Sequence, residues 1–466
     1  MSLKQPWAPS GAIYFVGIGG IGMSAIARIL LARGEFVAGS DTRDSELIAA
    51  LRSAGAQITI GHKAENVCAA RMLVVSSAIG DDNAECKAAR NAGIPILRRG
   101  EMLARIMQGR QGIAVSGTHG KTTTTAMVSC ILHHAGIDSS VVLGGEAIDT
   151  GTNARDGSDS WFLTEADESD GSFMQLTPDI AVVTNIENDH IVSDEELPRL
   201  VAAFAAFVAR VPQEGLIVVG LDNAASASLR SAPYRAAARS FGLDMRADVR
   251  ATNICVPATG SHFEVVSDGA HLGTIQLKIP GKINIVNALA AITVAQRLKI
   301  PFSLIAQALG KFSGVRRRFD VLAKTERMTV VDDYAHHPTA VRETILAARS
   351  YHHGPVVVAF QPHRYTRTAY LANDFARSLQ NADCTYLTPI YGAAETPVKG
   401  VSERAIGEPM RALGALVHYV DAVEDLPRRL LREAPAGALV LMLGAGSISL
   451  AAAQLAAGLR REAVLS

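Results

Sequence analysis

The sequence predicts an α/β protein of three domains. The two ends read as Rossmann-like, and the centre reads as a domain of P-loop type whose mainly parallel sheet carries a small antiparallel part. Three observations predict this. Apolar runs with no alternation recur along the chain, as expected of strands buried on both faces. Two of these runs, ending at Val16 and Ser116, lead directly into a glycine turn and a helix. At 466 residues the chain is also too long for one core, because domains cluster near roughly 150 residues. The expected divisions are 1–108, 109–314 and 315–466.

The first block opens with the strand Ala12 to Val16, a glycine turn and an amphipathic helix to Arg33. Strands at Phe36 to Asp41, Met72 to Val75 and Ile94 to Leu97 continue the β-α-β alternation. The second block starts at Gly112 to Ser116, with further strands at Ser160 to Thr164, Ile180 to Thr184 and Leu216 to Val219. Residues 247–280 alternate in short segments and read as antiparallel, before a helix from Ile285 to Leu298. In the third block, strands at Thr329 to Asp333, Pro355 to Phe360, Cys384 to Thr388 and Ala438 to Leu443 alternate with helices.

Composition excludes several classes of function. Lys+Arg and Asp+Glu are equal at 45 each, so no global field favours nucleic acid or an anionic membrane. The five cysteines lie far apart, which argues against a zinc cluster or disulfide framework and for a reducing, cytoplasmic setting. Residues Gly437 to Leu459 lack charge over a membrane-span length, yet the glycine turn at 444–447 divides them into strand, turn and helix. No membrane insertion is expected.

The motifs carry the chemistry. Gly17, Gly19, Gly20 and Gly22 form GxGxxG after a strand, where free N–H groups and the helix dipole favour a diphosphate. Asp41, about twenty positions on, keeps a dinucleotide open. A UDP-sugar diphosphate, or packing alone, would use the same turn. The run Gly117, Thr118, His119, Gly120, Lys121, Thr122, Thr123 is more specific. Its N–H groups can cradle phosphates, Lys121 can reach the β/γ-phosphates, and Thr122 can ligate magnesium. The central domain is therefore P-loop ATPase-like and ATP is expected, although Val115 stands where the usual loop has its first glycine. The carboxylates of Glu165, Asp167, Glu168 and Asp170 end the next strand and suit a hard cation such as Mg2+. His190 lies beyond a third strand end, and Asn284 and Asn287 sit at a helix start, where amides cap or read an adenine edge. Arg318 closes a three-arginine run, and the segments 330–338 and 361–367 put polar groups at strand ends.

These residues together resemble the Mur ligases, the ATP-dependent amino-acid-adding enzymes of peptidoglycan synthesis, from Gly17 to Ser447. The combination GIGGIGMS at 17–24, SGTHGKTTTT at 116–125, EADESDGSF at 165–173, DDYAHHP at 332–338 and QPHRYTRT at 361–368 is similar to the branch that joins L-alanine to UDP-N-acetylmuramate. A relative that attaches recycled tripeptide shares the early motifs, but PHRYTR points away from it.

The resemblance implies UDP-N-acetylmuramate on the first domain, ATP on the second and L-alanine near the third, in a monomer or homodimer. It implies phosphorylation of the lactyl carboxylate by ATP, then displacement of phosphate by the amine. By resemblance, Lys121 and Thr122 are the phosphate lysine and magnesium threonine, and Glu165 and His190 hold a second magnesium. Asn284 and Asn287 read adenine, Arg318 meets the γ-phosphate, and Asp333 belongs to the nucleotide set. Tyr334, His336 and Arg364 lie near the incoming amino acid and acyl phosphate. The glycine turn with Ser40, Asp41, His62 and Ser76 holds the UDP portion, and Asn153 the muramoyl end.

The chain departs from that pattern twice. Ile191, Val192 and Ser193 follow His190 where an aspartate is usual, and Ile283 replaces a histidine before Asn284. A Mur-like module that binds nucleotide or UDP-sugar with weak catalysis is the rival these departures allow. An NAD-dependent dehydrogenase would explain the first block only.

Overall fold

The computed structural model describes residues 11–187, 196–393 and 395–465, so His190 and Ile191 to Ser193 lie outside the described residues. Among the described residues the strands form three sheets, of five, ten and six strands. The first contains β1 (Ala12–Val16), β2 (Val37–Asp41), β3 (Gln57–Ile60), β4 (Ala70–Val75) and β5 (Ile96–Arg98), in the order β3-β2-β1-β4-β5. All its pairings are parallel, and β1 is buried throughout its length. This is the doubly wound arrangement expected, with β1 beside the switch point where ligands bind.

The second sheet is built from β6 (Gln111–Ser116), β7 (Ser140–Ala147), β8 (Thr152–Arg155), β9 (Trp161–Glu165), β10 (Ile180–Val183), β11 (Leu216–Gly220), β12 (Ala237–Gly242), β13 (Val249–Cys255), β14 (Ser261–Ser267) and β15 (Ala270–Leu277). Its order is β15-β14-β13-β12-β11-β10-β6-β9-β7-β8. Strands β7, β9, β6, β10, β11, β12 and β13 run parallel, whereas β14 and β15 continue antiparallel and β8 folds back on β7. The antiparallel part predicted at 247–280 is there. The β7–β8 hairpin was not foreseen, because half of β7 is polar or glycine, its apolar run is only Val141 to Leu143, and β8 reads Thr-Asn-Ala-Arg.

The third sheet holds β16 (Asp320–Lys324), β17 (Met328–Asp333), β18 (Val356–Phe360), β19 (Cys384–Leu387), β20 (Val417–Tyr419) and β21 (Ala438–Leu443), in the order β16-β17-β21-β18-β19-β20. Only β16 pairs antiparallel. The uncharged run from Gly437 resolves into β21, a turn and the helix Ile448–Leu465. No helix among the described residues is long and apolar enough to cross a membrane.

Helix Lys282–Arg297 has its middle buried from Asn287 to Ala295 and lies against helix Lys121–His134. Alanines at 288, 290 and 291 bring the two axes close. That packing lets Asn287 reach the start of the neighbouring helix. Polar ties set the three domains against one another. Arg33 pairs with Asp156 at 3.0 Å and Arg99 with Asp170 at 2.7 Å, each joining the first domain to the second. The N–H of Arg316 donates to the carbonyl of Glu146 at 2.8 Å, joining the second to the third.

Candidate active site

A cleft of about 770 Å³ runs between the three domains. Its wall takes Gly20, Gly22 and Ser76 from the first, Lys121, Thr122, Glu165, Asn284 and Asn287 from the second, and Arg318, Tyr334, His336 and Arg364 from the third. Residues from five separate sequence motifs therefore share one space.

The phosphate loop is shaped by its glycines. Gly117 has φ +126°, and a Cβ there would lie 2.1 Å from Thr184 Oγ1. Gly120 has φ +84°, and a Cβ would lie 2.3 Å from Asn287 Oδ1. Only glycine adopts such backbone against such neighbours. The chain after β10 braces the loop: Thr118 N–H donates to the Asn185 carbonyl (3.0 Å) and His119 N–H to Asn185 Oδ1 (2.8 Å). Thr184 Oγ1 donates back to the His119 carbonyl at 2.6 Å.

Lys121 points to the acidic strand end. Its Nζ donates to the Gly117 carbonyl and lies 2.9 and 3.0 Å from the two oxygens of Glu168. Burial would lower this ammonium, but Glu168, Asp167 and Glu165 outweigh it and hold its pKa above the usual range. Thr122 Oγ1 donates to Glu165 Oε2 at 3.1 Å, and Gly144 N–H donates to Glu165 Oε1. Burial raises the Glu165 carboxyl despite Gly144, Lys121, Arg318 and Thr122 acting against it. Octahedral Mg2+ with oxygens at 2.0–2.1 Å sets adjacent ligands about 2.9 Å apart, close to this pair. The donor set fits that ion. His190, expected with them, lies outside the described residues.

Asn287 is buried and accepts from Thr124 Oγ1 at 3.3 Å, while Asn284 Nδ2 donates to the Pro280 carbonyl at 2.7 Å. Ile283 lines the same wall. In the third domain Arg317 and Arg318 both stack on the Tyr334 ring, each 5.0 Å from its centroid. His336 meets Tyr334 edge to face at 4.9 Å and donates from Nδ1–H to the Tyr334 carbonyl at 2.8 Å. Arg364 sits at φ +68°, at the mouth of the helix Tyr365–Tyr370. Asp333 turns inward: it accepts from the Phe319 N–H (2.7 Å) and the Ala335 N–H (2.8 Å), and so pins the arginine run to the DDYAHHP turn.

In the first domain Asp41 Oδ2 accepts the Gly19 N–H at 2.8 Å and so fixes the glycine turn. Ser40 and His62 converge on Glu85, a fully buried carboxylate absent from the sequence-based site. Glu85 accepts from Ser40 Oγ (2.6 Å), Tyr14 Oη (2.8 Å) and Asn66 Nδ2 (2.7 Å), with His62 Nδ1 at 2.8 Å. Its only sequence signal was a position in a helix first turn behind Asn83, which reads as capping alone. Asn153 is buried and donates to the Ile21 carbonyl (2.8 Å) and Ser24 Oγ (3.0 Å), holding the β7–β8 hairpin to the first domain. Arg99, also missed, reaches from the first domain to Asp170 and Ser172 at the cleft edge.

Family models match nearly the whole chain in three consecutive pieces: the Mur ligase family catalytic domain over 12–111, the Mur ligase middle domain over 115–295, and the Mur ligase glutamate ligase domain over 317–446. The chain belongs to the Mur ligase family. Members of this family are ATP-dependent ligases, generally used with Mg2+. A UDP-N-acetylmuramate–L-alanine ligase of Acidithiobacillus ferrooxidans is 46% identical over 448 residues, covering 95% of this chain and 96% of the relative. One from Geobacter sulfurreducens is 43% identical over 439 residues, covering 94% and 95%. Among solved structures, the UDP-N-acetylmuramate–alanine ligase of Thermotoga maritima superposes with TM-score 0.83 at 29% identity, covering 97% of this chain and all of that one. A murein peptide ligase of Psychrobacter arcticus superposes with TM-score 0.74 at 24% identity over 97% of this chain and 99% of that one, which speaks for the fold. For this Mur ligase the three-sheet architecture and the three family segments run in the same chain order.

Proposed function

We propose that this Mur ligase joins L-alanine to the lactyl carboxylate of UDP-N-acetylmuramate, with ATP hydrolysed to ADP and phosphate, in cytoplasmic peptidoglycan precursor synthesis. The observation that carries the reading is the single cleft in which a phosphate loop, paired magnesium-type oxygens and a cationic third-domain wall face one another. Near-full-length similarity to ligases of that name supports the same substrates.

We assign residues 1–108 to the UDP-sugar, 109–314 to ATP and 315–466 to the amino-acid side. The loop N–H groups and Lys121 hold the nucleotide phosphates. Arg318, fixed by stacking on Tyr334, faces the transferring phosphoryl group. Thr122 and Glu165, with His190, would hold Mg2+, which would neutralise charge on the phosphates. A lactyl carboxylate oxygen attacks the γ-phosphorus as the bond to ADP breaks, giving an acyl phosphate. The neutral amine of L-alanine then attacks the acyl carbon, phosphate leaves, and the amine proton is lost. Phosphorylation is needed because a carboxylate oxygen is a poor leaving group. Fixed cationic donors along the cleft stabilise the developing charge without reorganising. His336 and Arg364 orient the amine and acyl phosphate, and Ser76 with the glycine turn holds the diphosphate.

The test is phosphate release with UDP-N-acetylmuramate, ATP and Mg2+, with and without L-alanine, and a product mass. Alanine-dependent release and a product heavier by one alanyl residue is the expected result. Release driven only by tripeptide would move the chain to the recycling branch. Binding of nucleotide without turnover on either amine would make it a binding module.

A further inference from the structure

At the phosphate loop, on the side toward the third domain, three potential metal donors meet whose side chains have no part in the reaction proposed above. His119 Nε2 lies 3.4 Å from Glu187 Oε2, and His337 Nδ1 lies 3.9 Å from the same oxygen. All three donor atoms fall within 4.8 Å of one another. The imidazole rings face each other with centroids 5.1 Å apart. The side chains are shielded, with exposures of 11% for His119, 27% for Glu187 and 8% for His337. His119 Nε2 is buried and makes no hydrogen bond of good geometry.

We propose that His119, Glu187 and His337 form a site for a divalent transition metal of the zinc class, one that ties the central domain to the C-terminal domain. Two imidazole nitrogens and one carboxylate oxygen are a zinc-type donor set, whereas Mg2+ prefers oxygen alone. With metal–ligand distances of 2.0–2.2 Å, tetrahedral donors stand about 3.3–3.6 Å apart. The His119–Glu187 pair is already at that separation, and the remaining pairs must close by no more than about 1.5 Å.

The frame around the donors is stiff. His119 has its N–H on Asn185 Oδ1 (2.8 Å), and its carbonyl accepts from Thr184 (2.6 Å) and Asn185 Nδ2 (3.1 Å). Glu187 donates its N–H to Thr118 Oγ1 at 2.8 Å, and Thr339 hydrogen-bonds its carboxylate. His337 precedes Pro338, which starts the helix Pro338–Tyr351 and sets the direction from which the imidazole arrives. Outer hydrogen bonds of this kind orient metal ligands. Two donors belong to the second domain and one to the third, so an ion here would restrain their relative motion beside the phosphate loop.

The experiment titrates the full-length protein with Co2+, in excess Mg2+ and without nucleotide, reading visible absorption. Wild type is expected to bind one equivalent with the intense bands of a tetrahedral site, discharged by one equivalent of Zn2+. His337→Asn and Glu187→Gln are each expected to weaken that binding by at least about tenfold, with far-UV circular dichroism checking that both fold. X-ray absorption of the zinc-loaded wild type should show imidazole in the first shell, a readout that needs no variant. No tetrahedral spectrum in wild type, a first shell of oxygen alone, or variants that bind as wild type does would each overturn the proposal. The last outcome would put the ion at Thr122 and Glu165 instead.

Discussion

Lys121 and Glu168 form a shielded ion pair, with Nζ 2.9 Å from Oε2 and 3.0 Å from Oε1. The lysine that should meet a nucleotide is thus held by a carboxylate until phosphates arrive. Replacing Glu168 by Gln should remove the competitor and tighten MgATP binding by about ten- to a hundredfold, since a charged hydrogen bond contributes roughly 1.5–3 kcal/mol. Lys121→Met should lower kcat by at least about 10³-fold, on the scale of losing a charge-stabilising group. Fluorescent-nucleotide titration and phosphate release measure the two effects. Weaker ATP binding in Glu168→Gln would mean that this carboxylate works with the nucleotide rather than against it.

Two glycines of similar backbone should respond differently to alanine. Gly120 (φ +84°) faces Asn287 Oδ1 at 2.3 Å from a virtual Cβ, whereas Gly136 (φ +77°) has nothing within 4 Å. Gly136→Ala should cost about 1 kcal/mol from backbone strain alone. Gly120→Ala should cost clearly more and also lose ATP affinity, because Asn287 and the helix start must shift. Thermal melts and nucleotide titration compare them, and equal effects would refute the crowding account.

Glu85 should control both stability and UDP-substrate affinity. Glu85→Ala strands the hydroxyls of Tyr14 and Ser40, the amide of Asn66 and the imidazole of His62, at a cost of about 3–5 kcal/mol. Glu85→Gln should retain part of the network. In that variant KM for UDP-N-acetylmuramate should rise while kcat holds, because His62 loses its orienting partner. A wild-type KM in Glu85→Gln would confine the network to a folding role.

Asp332 makes stability depend on pH with an unusual sign. Burial pushes its carboxyl up to about 7, against the pull of Arg317 and with a further push from Asp333 and Asp320. The folded state therefore keeps a proton that the unfolded chain has released above about 3.9. The stabilisation is fully present below that value and is lost as pH rises toward 7. Asp332→Asn, which stays neutral, should gain on wild type across this window by a few kcal/mol at most, on the order set by linkage. Denaturant midpoints at pH 5 and pH 8 test it, and a constant difference would exclude Asp332 as the source.

Much of the site was legible because phosphate chemistry leaves local marks. A buried strand, a glycine turn and a lysine at a helix start are contiguous in the chain, and their geometry follows from backbone preferences alone. Lys121, Thr122 and Glu165 therefore come together as expected. Less legible were the roles of Asp41, Ser40 and Asn153, whose hydrogen bonds go to Gly19, Glu85 and the helix Ile21–Ala32. Their partners stand 22 to 132 residues away, and no local pattern encodes such pairs.

The sequence by itself determined the three α/β blocks, the antiparallel part near 247–280 and the phosphate loop. Each rests on periodicity or turn chemistry within a short window. Only the tertiary structure decided that Glu85 gathers four side chains, that Glu168 holds Lys121, and that His337 from the third domain meets His119 and Glu187 from the second. These are contacts of long sequence separation between polar residues, each of which alone reads as a solvated loop or a helix cap. Their worth appears when burial removes water and the remaining partners must satisfy one another.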